Sequence, residues 1–149
     1  MASLIEIVAM KSGPIIIIDD DPDDKDVFID ILKELNVSNK VIWFQNCDDA
    51  FSHLKTTPEQ PFIIFCDVNL PGLTGVMCKE QIDDDQQLRK KSIPFIFFST
   101  AVDQKTVTEA YTKMTVQGFF QKPGSFGELK NVVKLIIDYW DHCKHPNST

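Results

Sequence analysis

The chain has 149 residues, 43% hydrophobic and 25% charged, as expected of one soluble globular domain with a sizeable core. A net charge of −7 argues against direct binding to nucleic acid or to an anionic membrane. No apolar stretch is long enough to span a bilayer, and the chain does not open with the charged segment and long apolar core of a signal peptide.

Ile15 to Ile18 are four consecutive β-branched residues and predict a buried strand. Seven of the twelve residues from Asp19 to Asp30 are then aspartates. Asp21 reads as a helix N-cap ahead of Pro22, with Asp23 and Asp24 favoured by the helix dipole. Asp19 and Asp20 precede that cap and repel each other unless a cation screens them. Oxygen ligands of this kind suit a hard divalent ion, so the strand end reads as a Mg²⁺ site. Val27, Phe28, Ile31, Leu32 and Leu35 give the first helix its apolar face.

Val41–Phe44 predicts the second strand, followed by a short helix capped by Asp48 and carrying Phe51 and Leu54. Phe62–Cys66 predicts the third strand, ending on Asp67. Pro71 and Gly72 mark a turn, with Gly72 and Gly75 serving it. A helical region follows from Thr74 to Ile82, then a polar loop from Asp83 to Ser92. Phe95–Phe98 predicts the fourth strand, ending on Ser99 and Thr100, and Val107, Ala110, Tyr111 and Met114 line the fourth helix. The short fifth strand is Gly118–Phe120, ending on Gln121, Lys122 and Pro123. The last helix presents Leu129, Val132, Val133, Ile136, Trp140 and Cys143 on one face. Residues 1–13 read as an N-terminal extension, 14–144 as the domain and 145–149 as a flexible tail.

Five such repeats of strand and helix predict an α/β fold with a mostly parallel, doubly wound sheet. Ligands of such sheets sit beyond the carboxyl ends of the strands, where strand order reverses. Those ends carry Asp19, Asp20, Asp67, Thr100 and Lys122. Three carboxylates, a hydroxyl and an ammonium around a divalent ion form a site for handling a phosphoryl group. Asp67 is the candidate nucleophile, since a carboxylate can take a phosphoryl group as a mixed anhydride. Ala101 is small and leaves room for its entry. Cys47, Cys66, Cys78 and Cys143 lack close pair spacing and read as free thiols in a reducing cytoplasm. Trp43 and Trp140 read as packing residues; His53, His142 and His145 are scattered and carry no assignment.

IIIIDDDPDD (Ile15 to Asp24), FIIFCDVNLPGLTG (Phe62 to Gly75), PFIFFSTA (Pro94 to Ala101) and GFFQKP (Gly118 to Pro123) occur in an order that resembles a known family. Over roughly Pro14 to Cys143 the chain resembles the receiver domain of two-component response regulators, in its stand-alone, chemotaxis-type form. The resemblance implies a flavodoxin-like fold with strand order 2-1-3-4-5. It implies Asp67 as phosphoacceptor, Asp20 as a direct Mg²⁺ ligand, Asp19 as its acidic neighbour and Asn69 as a metal ligand through its backbone carbonyl. It further implies Thr100 as the switch hydroxyl, Lys122 as the partner of the phosphoryl group, Phe119 as the switch aromatic and a cis Lys122–Pro123 bond. Val102, two beyond Thr100, is apolar, which implies a long phosphoryl lifetime.

The implied partners are a sensor histidine kinase or a histidine phosphotransfer protein, plus a downstream protein reached through the face of the fourth helix, fifth strand and fifth helix. A homodimer through that face is open. Two rival readings stand beside this one. A haloacid dehalogenase-type phosphatase has a nucleophile motif that Asp67-Val68-Asn69 resembles, but it wants a second aspartate where Asn69 stands. A receiver-like binding module independent of phosphorylation would not need the full set of pocket residues.

Overall fold

The computed structural model describes residues 11, 13–100 and 102–145. Ala101, most of the N-terminal extension and residues 146–149 lie outside the described residues. The five strands are β1 (Ile15–Ile18), β2 (Val41–Phe44), β3 (Ile63–Cys66), β4 (Phe95–Ser99) and β5 (Gly118–Gln121). They form one parallel sheet in the order β2-β1-β3-β4-β5. Among the described residues six helices connect and close it: α1 (Pro22–Glu34), α2 (Cys47–Thr56), α3 (Gly75–Asp84), α4 (Gln86–Lys91), α5 (Gln104–Lys113) and α6 (Phe126–His142).

Strand alternation divides the apolar residues between two cores. Ile15, Ile17, Ile63, Phe65, Ile96 and Phe98 face α1 and α6, where Phe28, Ile31, Leu32, Val133, Ile136 and Ile137 meet them. Ile16, Ile18, Ile64, Cys66, Phe95 and Phe97 face the opposite way, under Ala50, Leu54, Val76, Ile82, Leu88 and Ala110 from α2 to α5. With both faces covered, each βα crossover returns the chain to the same edge, and all five strands point their carboxyl ends one way. The doubly wound, flavodoxin-like fold expected from the sequence is the one observed. Among the described residues no helix is long and apolar enough to cross a membrane.

Four expectations are corrected. The polar segment from Asp83 to Ser92 is largely helical: Asp83 and Asp84 finish α3, and Asp85 caps α4 by accepting from the Leu88 N–H at 3.0 Å. Leu88 is buried, and this single apolar anchor holds a helix whose other residues are polar. The cap of α2 is Asn46, which accepts from the Asp49 N–H at 2.9 Å; Asp48 lies inside the first turn.

Cys47 and Cys78 are not free thiols but form a disulfide, with Cα atoms 5.6 Å apart. Cys66 and Cys143 are free. A separation of 31 residues hides the pairing, which arises because α2 and α3 pack side by side on one sheet face. His145 does not belong to a flexible tail. It is buried, its Nε2 lies 2.9 Å from the Phe62 carbonyl oxygen, and its ring rests on Phe62.

Candidate functional site

The hydrogen-bond ladder brings the polar residues together. β1 and β3 pair Ile18 with Cys66, so the residues that follow, Asp19 and Asp67, emerge side by side. The Asp67 N–H donates to the Ile18 carbonyl at 2.9 Å. On the other side, Ser99 is level with Gln121, and the Lys122 N–H donates to the Ser99 carbonyl at 2.8 Å. Three strand ends and the start of α1 thus close on one small pocket lined by Asp19, Asp24, Asp67, Lys122 and the rings of Phe28, Phe65 and Phe98.

Asp67 is buried, and its Oδ1 accepts from the Ser99 hydroxyl at 2.8 Å and from the Asn69 N–H at 3.0 Å. Its Oδ2 is 3.7 Å from the Lys122 ammonium. Asp19 is also buried; it accepts from the Asp21 N–H at 2.9 Å and from Lys122 at 2.8 Å. Asp24 is a third partner of Lys122, at 3.4 Å. Asp20 is exposed, yet Asp19, Asp20 and Asp67 each offer an oxygen within 4.8 Å of the others'.

These carboxylates outnumber the ammonium, and both Asp19 and Lys122 hold their protons more tightly than usual. Burial pushes the Asp19 carboxyl above its usual range, with the Asp67 charge adding to it against the Lys122 and Asp21 hydrogen bonds. Burial alone would lower the Lys122 ammonium, but the Asp19 hydrogen bond and the charges of Asp19, Asp67 and Asp24 outweigh it and raise the value. Two carboxylates 4 to 5 Å apart repel by roughly 3–4 kcal/mol at an effective dielectric of 20. Three hard oxygen donors under that repulsion fit a divalent cation of the Mg²⁺ or Mn²⁺ kind.

Gly75 makes this geometry possible. A Cβ there would lie 2.2 Å from the Asp67 carbonyl oxygen, so any side chain would force α3 away from the loop that carries Asn69. Gly72 takes a φ of 74° in the turn, which favours glycine.

The structure brings Asp19, Asp20, Asp67 and Lys122 together as expected, and separates Thr100 from them. Ser99, not Thr100, supplies the pocket hydroxyl. Ser99 is the last residue of β4 and fully buried, whereas Thr100 is exposed and its carbonyl accepts from the Gln121 amide at 3.3 Å. Asp19 and Asp67 each follow their apolar run directly; the first hydroxyl after Phe98 is likewise Ser99, and that rule applied evenly would have found it. The shift moves the residue two beyond the hydroxyl from Val102 to Ala101. The Lys122–Pro123 bond is trans, not cis, and Lys122 reaches Asp19 from that backbone. Phe119 is half-buried, with its ring 5.2 Å from that of Phe97.

Besides Ser99, two contributors were missed. Trp43 does more than pack: its indole N–H donates to the Asp19 carbonyl at 2.7 Å, tying β2 to the acidic loop, while Lys25 covers its ring. Asp24 was read only as a helix-start acid. Cys66 turns away from the pocket into the core beneath α2 to α5, and burial pushes its thiol well up.

Residues 15–134 match the family model of the response regulator receiver domain. The chain belongs to that family. It is 24% identical over 135 residues to the chemotaxis protein CheY-3 of Vibrio cholerae, covering 90% of this chain and 98% of that one. Its fold is similar to that of the phosphorylated cyanobacterial phytochrome response regulator RcpA, with a TM-score of 0.81, 22% identity, and 91% and 99% of the two chains covered. It is also similar to the Mn²⁺-bound response regulator Rcp1, with a TM-score of 0.76, 21% identity, and 89% and 96% covered. The chain is therefore a receiver domain of two-component signalling and not a conventional enzyme; receivers take phosphoryl groups from histidine kinases and bind Mg²⁺ or Mn²⁺ at their acidic pocket.

Proposed function

We propose that Asp67 is the phosphoacceptor of this receiver and that the chain catalyses only its own phosphorylation and dephosphorylation. The observation that carries this reading is the environment of one carboxylate. Oδ1 of Asp67 is held by Ser99 and Asn69, while Oδ2 faces Lys122 at the acidic triad. An oriented carboxylate beside fixed positive charge is suited to in-line attack on phosphorus. A carboxylate oxygen of Asp67 forms the new P–O bond as the P–N bond of a phosphohistidine breaks, and the imidazole leaves on a sensor kinase or a histidine phosphotransfer protein. Asp19, Asp20 and Asp67, with the Asn69 carbonyl, would hold Mg²⁺, which supplies charge neutralisation at the phosphoryl oxygens.

Lys122 lies within reach of one further phosphoryl oxygen and Ser99 of another. Ser99 changes partner from Asp67 Oδ1 to the phosphoryl group, and the space beside β4 then admits Phe119. That shift remodels the face of α5, β5 and α6, which a downstream protein or a second copy reads as a change of population between two states. A cytoplasmic place accords with such partners.

The test is intact-mass measurement after incubation with acetyl phosphate and Mg²⁺. Wild type is expected to gain about 80 Da, the mass of one phosphoryl group, and Asp67→Asn and Asp20→Asn to gain nothing. Equal gain by Asp67→Asn would overturn the assignment. Steady turnover of a phosphate ester would instead favour a phosphatase, and no gain by wild type a binding module.

A further inference from the structure

One ammonium draws on three acids in this pocket: Lys122 is held by Asp19 at 2.8 Å, Asp24 at 3.4 Å and Asp67 at 3.7 Å. Asp19 and Asp67 belong to the metal-binding triad and Asp24 does not. Asp19 and Asp67 would hold a divalent cation together with Asp20, and its charge would compete with the ammonium for those two carboxylates and repel it. Asp24 is then the remaining carboxylate among these three contacts. It stands in the first turn of α1, fixed by the Asp21 cap and Pro22, with Phe28 one turn further on buried against Phe65 and Phe98. Its backbone is therefore well placed to keep the carboxylate where it is.

We propose that Asp24 is a positioning residue that retains the Lys122 ammonium beside Asp67 while a divalent cation occupies the triad. The inference rests on the phosphoacceptor reading only for its kinetic consequence. An ordinary helix-start role would be shared with Asp23, the other acid of that turn, which makes Asp23→Asn the matched control.

The experiment has two readouts. In the first, phosphorylation by acetyl phosphate is timed at saturating Mg²⁺. Asp24→Asn is expected to slow it about tenfold, Asp24→Glu to restore most of the rate, and Asp23→Asn to leave it unchanged. In a Lys122→Ala background, where there is no ammonium to position, Asp24→Asn should have no further effect. In the second readout, the NMR signals of the Lys122 ε-methylene are followed as Mg²⁺ is added. Wild type is expected to keep its shifted, protected signals, and Asp24→Asn to move to those of a solvated lysine.

Unchanged Lys122 signals in Asp24→Asn, or an equal rate loss with and without Lys122, would overturn the proposal. If wild type takes up no phosphoryl group, the phosphoacceptor reading fails while the Lys122 signals still decide this one.

Discussion

At the amino ends of the strands, polar side chains meet backbone groups that satisfy them. Asn39 donates to the carbonyls of Lys11 and Gly13, His145 pairs with Phe62, and Gln117 accepts from the Phe95 N–H at 2.7 Å. At the carboxyl ends, a single ammonium meets three acids, Asp19, Asp24 and Asp67, and a fourth, Asp20, stands beside two of them. The same sheet thus carries a satisfied edge, where hydrogen bonds close the fold, and an edge left with excess charge. Buried unbalanced charge costs stability unless a partner, a bound proton or a metal ion offsets it. One edge closes the fold and the other carries the chemistry, and substitutions at each edge separate the two roles.

The largest expected effect concerns how the charged edge is held. Cys47 and Cys78 join the starts of α2 and α3, both on the carboxyl side of the sheet, so a covalent tie braces the edge where acids repel. Closing a loop across 31 residues is expected to stabilise by about 3–4 kcal/mol, so that Cys47→Ser loses that amount in urea unfolding. Under denaturing, non-reducing conditions only Cys66 and Cys143 should react with a thiol reagent. Titration of all four cysteines would mean that no disulfide braces this edge.

Next in size is the effect of completing the charged edge. Mg²⁺ at about 100-fold above its dissociation constant is expected to stabilise wild type by about 2.7 kcal/mol. Asp20→Asn should lose most of that gain, because it removes one of the three oxygen donors. An equal thermal shift in both proteins would mean that the triad is not where the ion acts.

A smaller effect separates two neighbouring hydroxyls. Ser99→Ala removes the donor to Asp67 Oδ1 and is expected to change the phosphorylation rate about tenfold, whereas Thr100→Ala should match wild type. The reverse result would return the switch role to Thr100. This pair also shows where sequence reading reached its limit. Apolar runs and the polar residues after them made the parallel sheet and Asp19, Asp20, Asp67 and Lys122 legible, because strand burial and strand-end polarity are written locally, whereas the strand order came only with the family resemblance.

Which of two adjacent hydroxyls faces inward depends on where β4 stops, and that depends on its pairing with β5. Cys47 with Cys78, His145 with Phe62, and Asp24 with Lys122 are separated by 31, 83 and 98 residues, and no local pattern announces such contacts. The helix Gln86–Lys91 escaped notice because one buried leucine leaves no amphipathic period to read.

The smallest effect tests the satisfied edge on its own. A carbonyl oxygen can only accept, so Nε2 of His145 carries the proton in its bond to Phe62. His145→Ala removes that bond and the ring contact, and is expected to cost about 1 kcal/mol of stability while leaving phosphorylation unchanged. Burial lowers the histidine below its ordinary value of 6.5, with Lys11 nearby adding to the effect against the Phe62 hydrogen bond. The folded state therefore favours the neutral ring, and the unfolded chain takes up the proton first as pH falls. The contribution of His145 is complete above pH 6.5 and is lost as pH falls below that toward the lowered value. Unfolding curves of wild type and His145→Ala should thus converge in mild acid. If they instead stay parallel, or if phosphorylation falls with the substitution, the two edges are coupled and the division between them does not hold.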